Sequence, residues 1–368
     1  MGLEQVLTSN AFGDNVPDCV KGHPKLAFGT SVLLCYTLLC QALRFRRLRK
    51  MRSKYRYKTR GDMARMTNQE AQEIQKELIQ SEFPFTMNKA LQFALFRTYG
   101  IPSISKLLVQ TQQLSEKEHA ARRYVDTEVL IQDFIANAPE SERANGAIAR
   151  MNYLHDLYRK SGKISNDDLL YTLALFALEP KSWINRYEWR KLTDLEICAI
   201  GTFWKSMGDA MEISYEHLPG AGKGWNDGIQ WMDEVAEWSQ GYEKKYMVPH
   251  QDNKKTADET TAMLLYDAPS SLHPAGFKVV SALMDERLRK AMMYVDASFA
   301  NRWALKSWLK WMAGKPYPGS AGFKSGGYVL EEIGPKNLEG KGTEYVTQAK
   351  DRLLKQGRGG CPFAVAKR

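Results

Sequence analysis

The chain lacks an evenly basic character, although its formal net charge is +10 over 368 residues. Ten cations and no acid fall within Arg44–Arg60, "RFRRLRKMRSKYRYKTR", while the first 25 residues contribute −1 and the body from Gly61 onward +1. A near-neutral body has no extended complement to a phosphate backbone, so nucleic-acid binding is not expected. Cysteine is scarce and dispersed. Cys19, Cys35, Cys40, Cys198 and Cys361 form no CxxC pair, which argues against a zinc site or a disulfide framework and fits a reducing compartment. Long alternating runs of β-branched residues are missing, so no sheet is expected. GxSxG, HExxH and Walker motifs are absent as well. "GAGKG" (Gly220–Gly224) lacks dinucleotide-fingerprint spacing and reads as a loop. A di-iron bundle needs two Glu-x-x-His pairs, and only Glu116–His119 fits. "GRGGCPF" (Gly357–Phe363) leaves too few residues after Cys361 for the helix that a thiolate-ligating haem loop feeds.

What the chain does have begins with "LAFGTSVLLCYTLLCQAL" (Leu26–Leu43), eighteen residues without a charge directly before the cations. That is the lower range for spanning a hydrocarbon core. The expected layout is a lumenal segment over 1–25, a transmembrane helix over 26–43 and a basic juxtamembrane segment over 44–60. The Lys/Arg excess puts the domain after the anchor on the cytosolic side, with the cations against anionic lipid.

The remainder reads as helices. "TNQE" (Thr67–Glu70), "SNDD" (Ser165–Asp168) and "TDLE" (Thr193–Glu196) match or approach capping boxes. Amphipathic runs occupy 68–81, 85–97, 115–136, 141–160, 166–177, 193–215, 226–241, 255–266 and 284–312. The expected fold is all-α, a single helical domain over 61–315 with an irregular tail over 316–368.

Two polar intrusions break the apolar stripes. In "ARMNYLHDLY" (Ala149–Tyr158), Ile148, Met151, His155 and Tyr158 share a helical face. His155 there is either a core histidine satisfied by a hydrogen bond or a ligand. In "AARRYVDTEVLIQDF" (Ala120–Phe134), Ala120, Arg123, Thr127, Leu130 and Phe134 fall at a/d spacing, with Asp126 at the edge. Arg123 and Asp126 form either an intrahelical surface pair or, if buried, a site.

Arg-x-x-Asp-Thr (Arg123, Asp126, Thr127) followed 28 residues later by His155 resembles the haem-dependent rubber-oxygenase family, the latex-clearing proteins of the DUF2236 type. "FALFRTYGIP" (Phe93–Pro102), "LLYTLALFALEP" (Leu169–Pro180), "CAIGTFWKSMGDAMEI" (Cys198–Ile213), "DGIQW" (Asp227–Trp231) and "DERLRKAMMY" (Asp285–Tyr294) look like its membrane-bound fungal branch, the ER-bound oxygenases of the MpaB type. The resemblance runs from the apolar stretch to "GCPF". It implies a helical enzyme at the endoplasmic reticulum membrane that uses haem b and O2 to cleave a carbon–carbon double bond of a prenyl chain in fungal secondary metabolism. His155 maps to the iron's axial ligand and Arg159 to a cofactor contact or a structural role. Arg123 and Thr127 map to polar groups on the opposite side of the iron. Asp126 replaces the family lysine, and the stretch from Tyr294 to Trp303 looks short.

Under that resemblance Arg123 would stabilise charge developing on oxygen, and Asp126, desolvated, would accept an allylic proton. The expected partners are a prenylated or isoprenoid small molecule and the membrane, with self-association left open. The alternative is a membrane-tethered helical protein that carries haem or lipid without chemistry.

Overall fold

Thr67 opens a helix as its spacing predicts. Its hydroxyl accepts the Glu70 N–H at 3.2 Å while the Glu70 carboxylate accepts the Thr67 N–H at 3.0 Å. Glu196 accepts the Thr193 N–H at 2.7 Å in a second capping box, and the Ser165 hydroxyl accepts the Asp168 N–H at 3.0 Å. Each cap satisfies donors that a helix leaves open at its first turn.

The computed structural model describes residues 24–55, 57–111, 117–266, 269–313, 330 and 333–364. Among them lie sixteen α-helices and no strand, in agreement with the all-α expectation. The chain divides into two units, Met1–Arg56 and Tyr57–Arg368.

The first unit holds α1 (Pro24–Arg44) and α2 (Arg46–Tyr55). Phe28, Leu33, Leu34, Tyr36, Leu38 and Leu39 of α1 are more than half exposed. The single-pass anchor expected over 26–43 is not shown: among the described residues no helix is long and apolar enough to cross a membrane, and part of that run lies outside the described side chains.

The second unit runs through α3 (Arg60–Met63), α4 (Asn68–Glu77), α5 (Pro84–Thr98), α6 (Pro102–Gln110), α7 (Lys117–Ala136) and α8 (Glu142–Lys160). It continues with α9 (Asn166–Tyr187), α10 (Asp194–Ala210), α11 (Gly228–Tyr246), α12 (Gln251–Leu264) and α13 (His273–Leu283). Last come α14 (Glu286–Ala291), α15 (Phe299–Met312) and α16 (Thr343–Gln356). Helix α9 packs along α5, α10 lies between α4 and α11, and α8 lies between α7 and α16. The crossing of α10 and α11 is as close as backbone permits. A Cβ on Gly201 would sit 2.1 Å from the Gly228 carbonyl oxygen, so both helices need glycine there.

Several boundaries depart from the periodicity. Helix α9 continues through Pro180 to Tyr187, where Trp183, Ile184 and Tyr187 are buried, so tertiary packing overrides the missing donor. The run expected over 284–312 breaks into α14 and α15 after Met293, whose φ of 58° is left-handed. The tail expected to be irregular contains α16, which buries Val346 and Ala349 against Ala149. Beyond it, Gly359 and Gly360 carbonyls accept the Gln69 and Asn68 N–H groups at 3.1 and 3.0 Å. "GRGGCPF" thus caps the start of α4.

Candidate functional site

The two interrupted stripes meet. From α7, Thr127, Leu130, Ile131 and Phe134 face an apolar cavity of about 220 Å³, and from α8, Met151, Leu154, His155 and Tyr158 face the same space. Leu169, Leu173 and Phe176 of α9, Trp204 and Met207 of α10, and Leu95 and Thr98 of α5 complete most of the wall. The period of each stripe dictates this, since residues three and four apart stack on one helical face.

Of the residues singled out in the sequence, His155 and Thr127 are brought together on this wall. Arg123 belongs to α7, but its side chain lies outside the described residues. The same holds for His119, and Glu116 is outside them altogether.

Asp126 is buried but is not part of the cavity lining. Its Oδ2 accepts the Gly334 N–H at 3.1 Å. Arg150, one turn before Leu154 and 1% exposed, holds the same segment. Its guanidinium donates to the Ile333 carbonyl at 2.9 and 2.8 Å, to the Leu338 carbonyl at 3.0 Å and to the Lys341 carbonyl at 2.6 Å. Gly334 has φ of 124°, a backbone that side chains disfavour. Asp126 and Arg150 therefore fasten a strap whose Pro335 and Leu338 close the cavity wall. Ile333 packs with Leu130 and Ala147 underneath. One oxygen of the Asp126 carboxylate is thus engaged with the strap.

Arg159 also points elsewhere. It donates to the Met211 carbonyl at 3.1 Å and to the Glu212 carbonyl at 3.4 Å, and lies 3.7 Å from Asp156. Glu212 has left-handed φ of 56°, so Arg159 steadies a tight turn after α10. It is not among the lining residues of the cavity.

Sequence reasoning missed Asp168, the one carboxylate among the described lining residues, because its capping motif already accounted for it. Its Oδ1 accepts from Ser103 at 2.7 Å and Tyr242 at 2.8 Å, and its Oδ2 from Ser165 at 2.7 Å. Burial, then the Asp168 charge, raises the Tyr242 phenol above its ordinary range, so it stays a neutral donor. Lys163 is the one cation on the described lining and is exposed at its rim. Arg150 was equally missed: the partners it needs lie more than 180 residues away.

Arg97 of α5 centres a largely buried ionic cluster. Arg97 binds Glu243 through two contacts of 2.8 and 2.9 Å and also binds Asp285, while Glu179 lies at 3.7 Å. Burial pushes Glu179 up to about 7, with Glu243 and Asp285 adding to the rise and Arg97 opposing it.

No family model matches the chain. Curated relatives do. The chain is 43% identical over 392 aligned positions to the ER-bound oxygenase mpaB' of Penicillium brevicompactum, covering 90% of this chain and 93% of that protein. It is 53% identical over 270 residues to the ER-bound oxygenase mpaB of Penicillium roqueforti (strain FM164), covering 73% and 91%. A second mpaB of P. brevicompactum is 45% identical over 328 residues, covering 80% and 84%.

Proposed function

Because the chain belongs to the ER-bound oxygenase mpaB family, we propose that it is a haem-dependent oxygenase cleaving a carbon–carbon double bond of a prenyl chain with O2. The observation that carries this is His155 on the wall of a predominantly apolar cavity. A planar macrocycle needs apolar walls and one nitrogen donor. Leu130, Phe134, Leu173, Phe176 and Met207 supply the first and His155 the second, so the residues fit haem b. Bound there, haem supplies the activation of O2.

The protein's own groups do the rest. Met151 and Leu154 share the cavity-facing side of α8 with His155 and give the imidazole an apolar flank. The apolar walls exclude water and accept a prenyl chain, whose burial is favoured by about 25 cal/mol for each Å² removed from water. Thr127 offers a hydroxyl opposite α8, and Lys163 at the rim suits the acidic groups of the macrocycle or substrate. Asp126 and Arg150 act as positioning residues through the strap. The overall reaction balances without a reductant, since one oxygen atom ends in each of two carbonyl products.

Attachment to the ER membrane runs through α1 and the cations of Arg44–Arg60, with the second unit on the cytosolic face. Support comes from the relatives' names and from the exposed apolar side chains of α1.

The test is turnover of a farnesylated arene under ¹⁸O2, with products read by mass. One heavy oxygen in each carbonyl fragment supports the reading. A haem-loaded chain that leaves the alkene intact overturns it in favour of the tethered haem- or lipid-binding alternative.

A further inference from the structure

Nine tryptophans occur in the chain, and the exposed ones are Trp303, Trp308 and Trp311, all on α15. Trp303 and Trp311 are each 65% exposed, and Phe299 at the start of the helix is 84% exposed. Leu305 and Leu309 point the opposite way and are buried, so α15 is fastened to the body by one face and presents aromatics on the other. Trp308 lies at the border, with its ring 5.7 Å from that of Phe85.

The helix carries Arg302, Lys306 and Lys310 and no acid. Trp303, Lys306 and Lys310 fall at i, i+3 and i+7, on one face, and both lysines are exposed. Large exposed aromatic patches mark contact surfaces. This combination discriminates among them. Indole rings favour the headgroup level of a bilayer, where an apolar body and a polar N–H are both accommodated. Lysines around them match anionic headgroups, and long stems let their charges stay in water.

We propose that the exposed face of α15 is a membrane-contacting surface that lies in the interface of an anionic lipid bilayer. It is an attachment separate from α1 and rests on exposure and charge within the second unit. An interfacial helix of this kind binds through buried apolar area plus attraction to anionic lipid, and either part alone is weak. For an enzyme acting on prenyl chains, it holds the body at the surface where such chains partition.

The test uses the full-length chain on vesicles of phosphatidylcholine and phosphatidylserine with brominated acyl chains, which quench indole on contact. Wild-type fluorescence is expected to be quenched about threefold more than that of Trp303→Phe/Trp311→Phe, which removes two of the three exposed indoles. Lys306→Gln/Lys310→Gln should lose quenching on vesicles with phosphatidylserine and not on neutral ones. Circular dichroism checks that each variant is folded, and co-sedimentation with vesicles reports α1 independently. Equal quenching of wild type and the Trp variant, with both retained on vesicles, overturns the proposal. So does a dimer in detergent that the Trp variant converts to monomer, since the face then belongs to a second copy of the chain.

Discussion

Arg150→Met removes the cation that fastens the strap and keeps most of its length. Wild-type Arg150 satisfies three buried or half-buried carbonyls, those of Ile333, Leu338 and Lys341, at 2.6 to 3.0 Å. Hydrogen bonds to a charged group contribute about 1.5–3 kcal/mol each. Against that loss, methionine avoids the burial cost of a guanidinium, itself several kcal/mol in magnitude. The net expectation is a destabilisation of about 3 kcal/mol. At about 2 °C per kcal/mol for a domain of this size, Tm should fall by about 6 °C. The damage should also be local. Limited trypsin digestion should cut at Lys341 in the variant long before it does so in wild type. A Tm within about 1 °C of wild type and an intact strap would refute the reasoning.

Asp126→Asn retains an acceptor for the Gly334 N–H, so it should keep turnover within about tenfold and leave the pH profile unchanged. A loss in the 10²–10⁴-fold range, about what a missing general base costs, together with loss of the acid limb, would return Asp126 to the chemistry. Gly201→Ala drives a methyl into the Gly228 carbonyl 2.1 Å away, which helix backbone cannot yield. It should cost more than about 3 kcal/mol in thermal unfolding, while Gly222→Ala, with open space around it, should stay near neutral. Glu179 is held up near 7 in the folded chain against an ordinary value of 4.5. The folded state therefore binds the extra proton between those limits, and stability should fall as pH rises through them. Glu179→Gln should flatten this limb in a Tm-against-pH series, and an unchanged slope would contradict it.

Helix starts were legible where a short-range rule decides them, as at Thr67 and Thr193 with their glutamates three residues on. The cavity was legible in the same way. His155 on one stripe and Thr127 on another are set by helical period alone, and both face it. What pairs over long range was not legible. Nothing in the local pattern around Asp126 announces its contact with the Gly334 N–H, 208 residues away. The continuation of α9 escaped because Pro180 removes a helix donor there. Buried Trp183 supplies in packing what the Pro180 segment lacks in propensity. Helix α16, with good helix formers and Val346, Ala349 and Leu353 on one face, was legible, and only the Gly-rich stretch before it obscures it.

The central claim is that His155 binds haem iron, and the most direct measurement is the absorption spectrum and haem content of wild type and His155→Ala, each confirmed as folded. The account predicts one haem per wild-type chain, a Soret band that moves on reduction, and a folded variant that has lost both. A His155→Ala protein with undiminished haem and the same Soret band would contradict it, and so would a folded wild-type chain that takes up no haem.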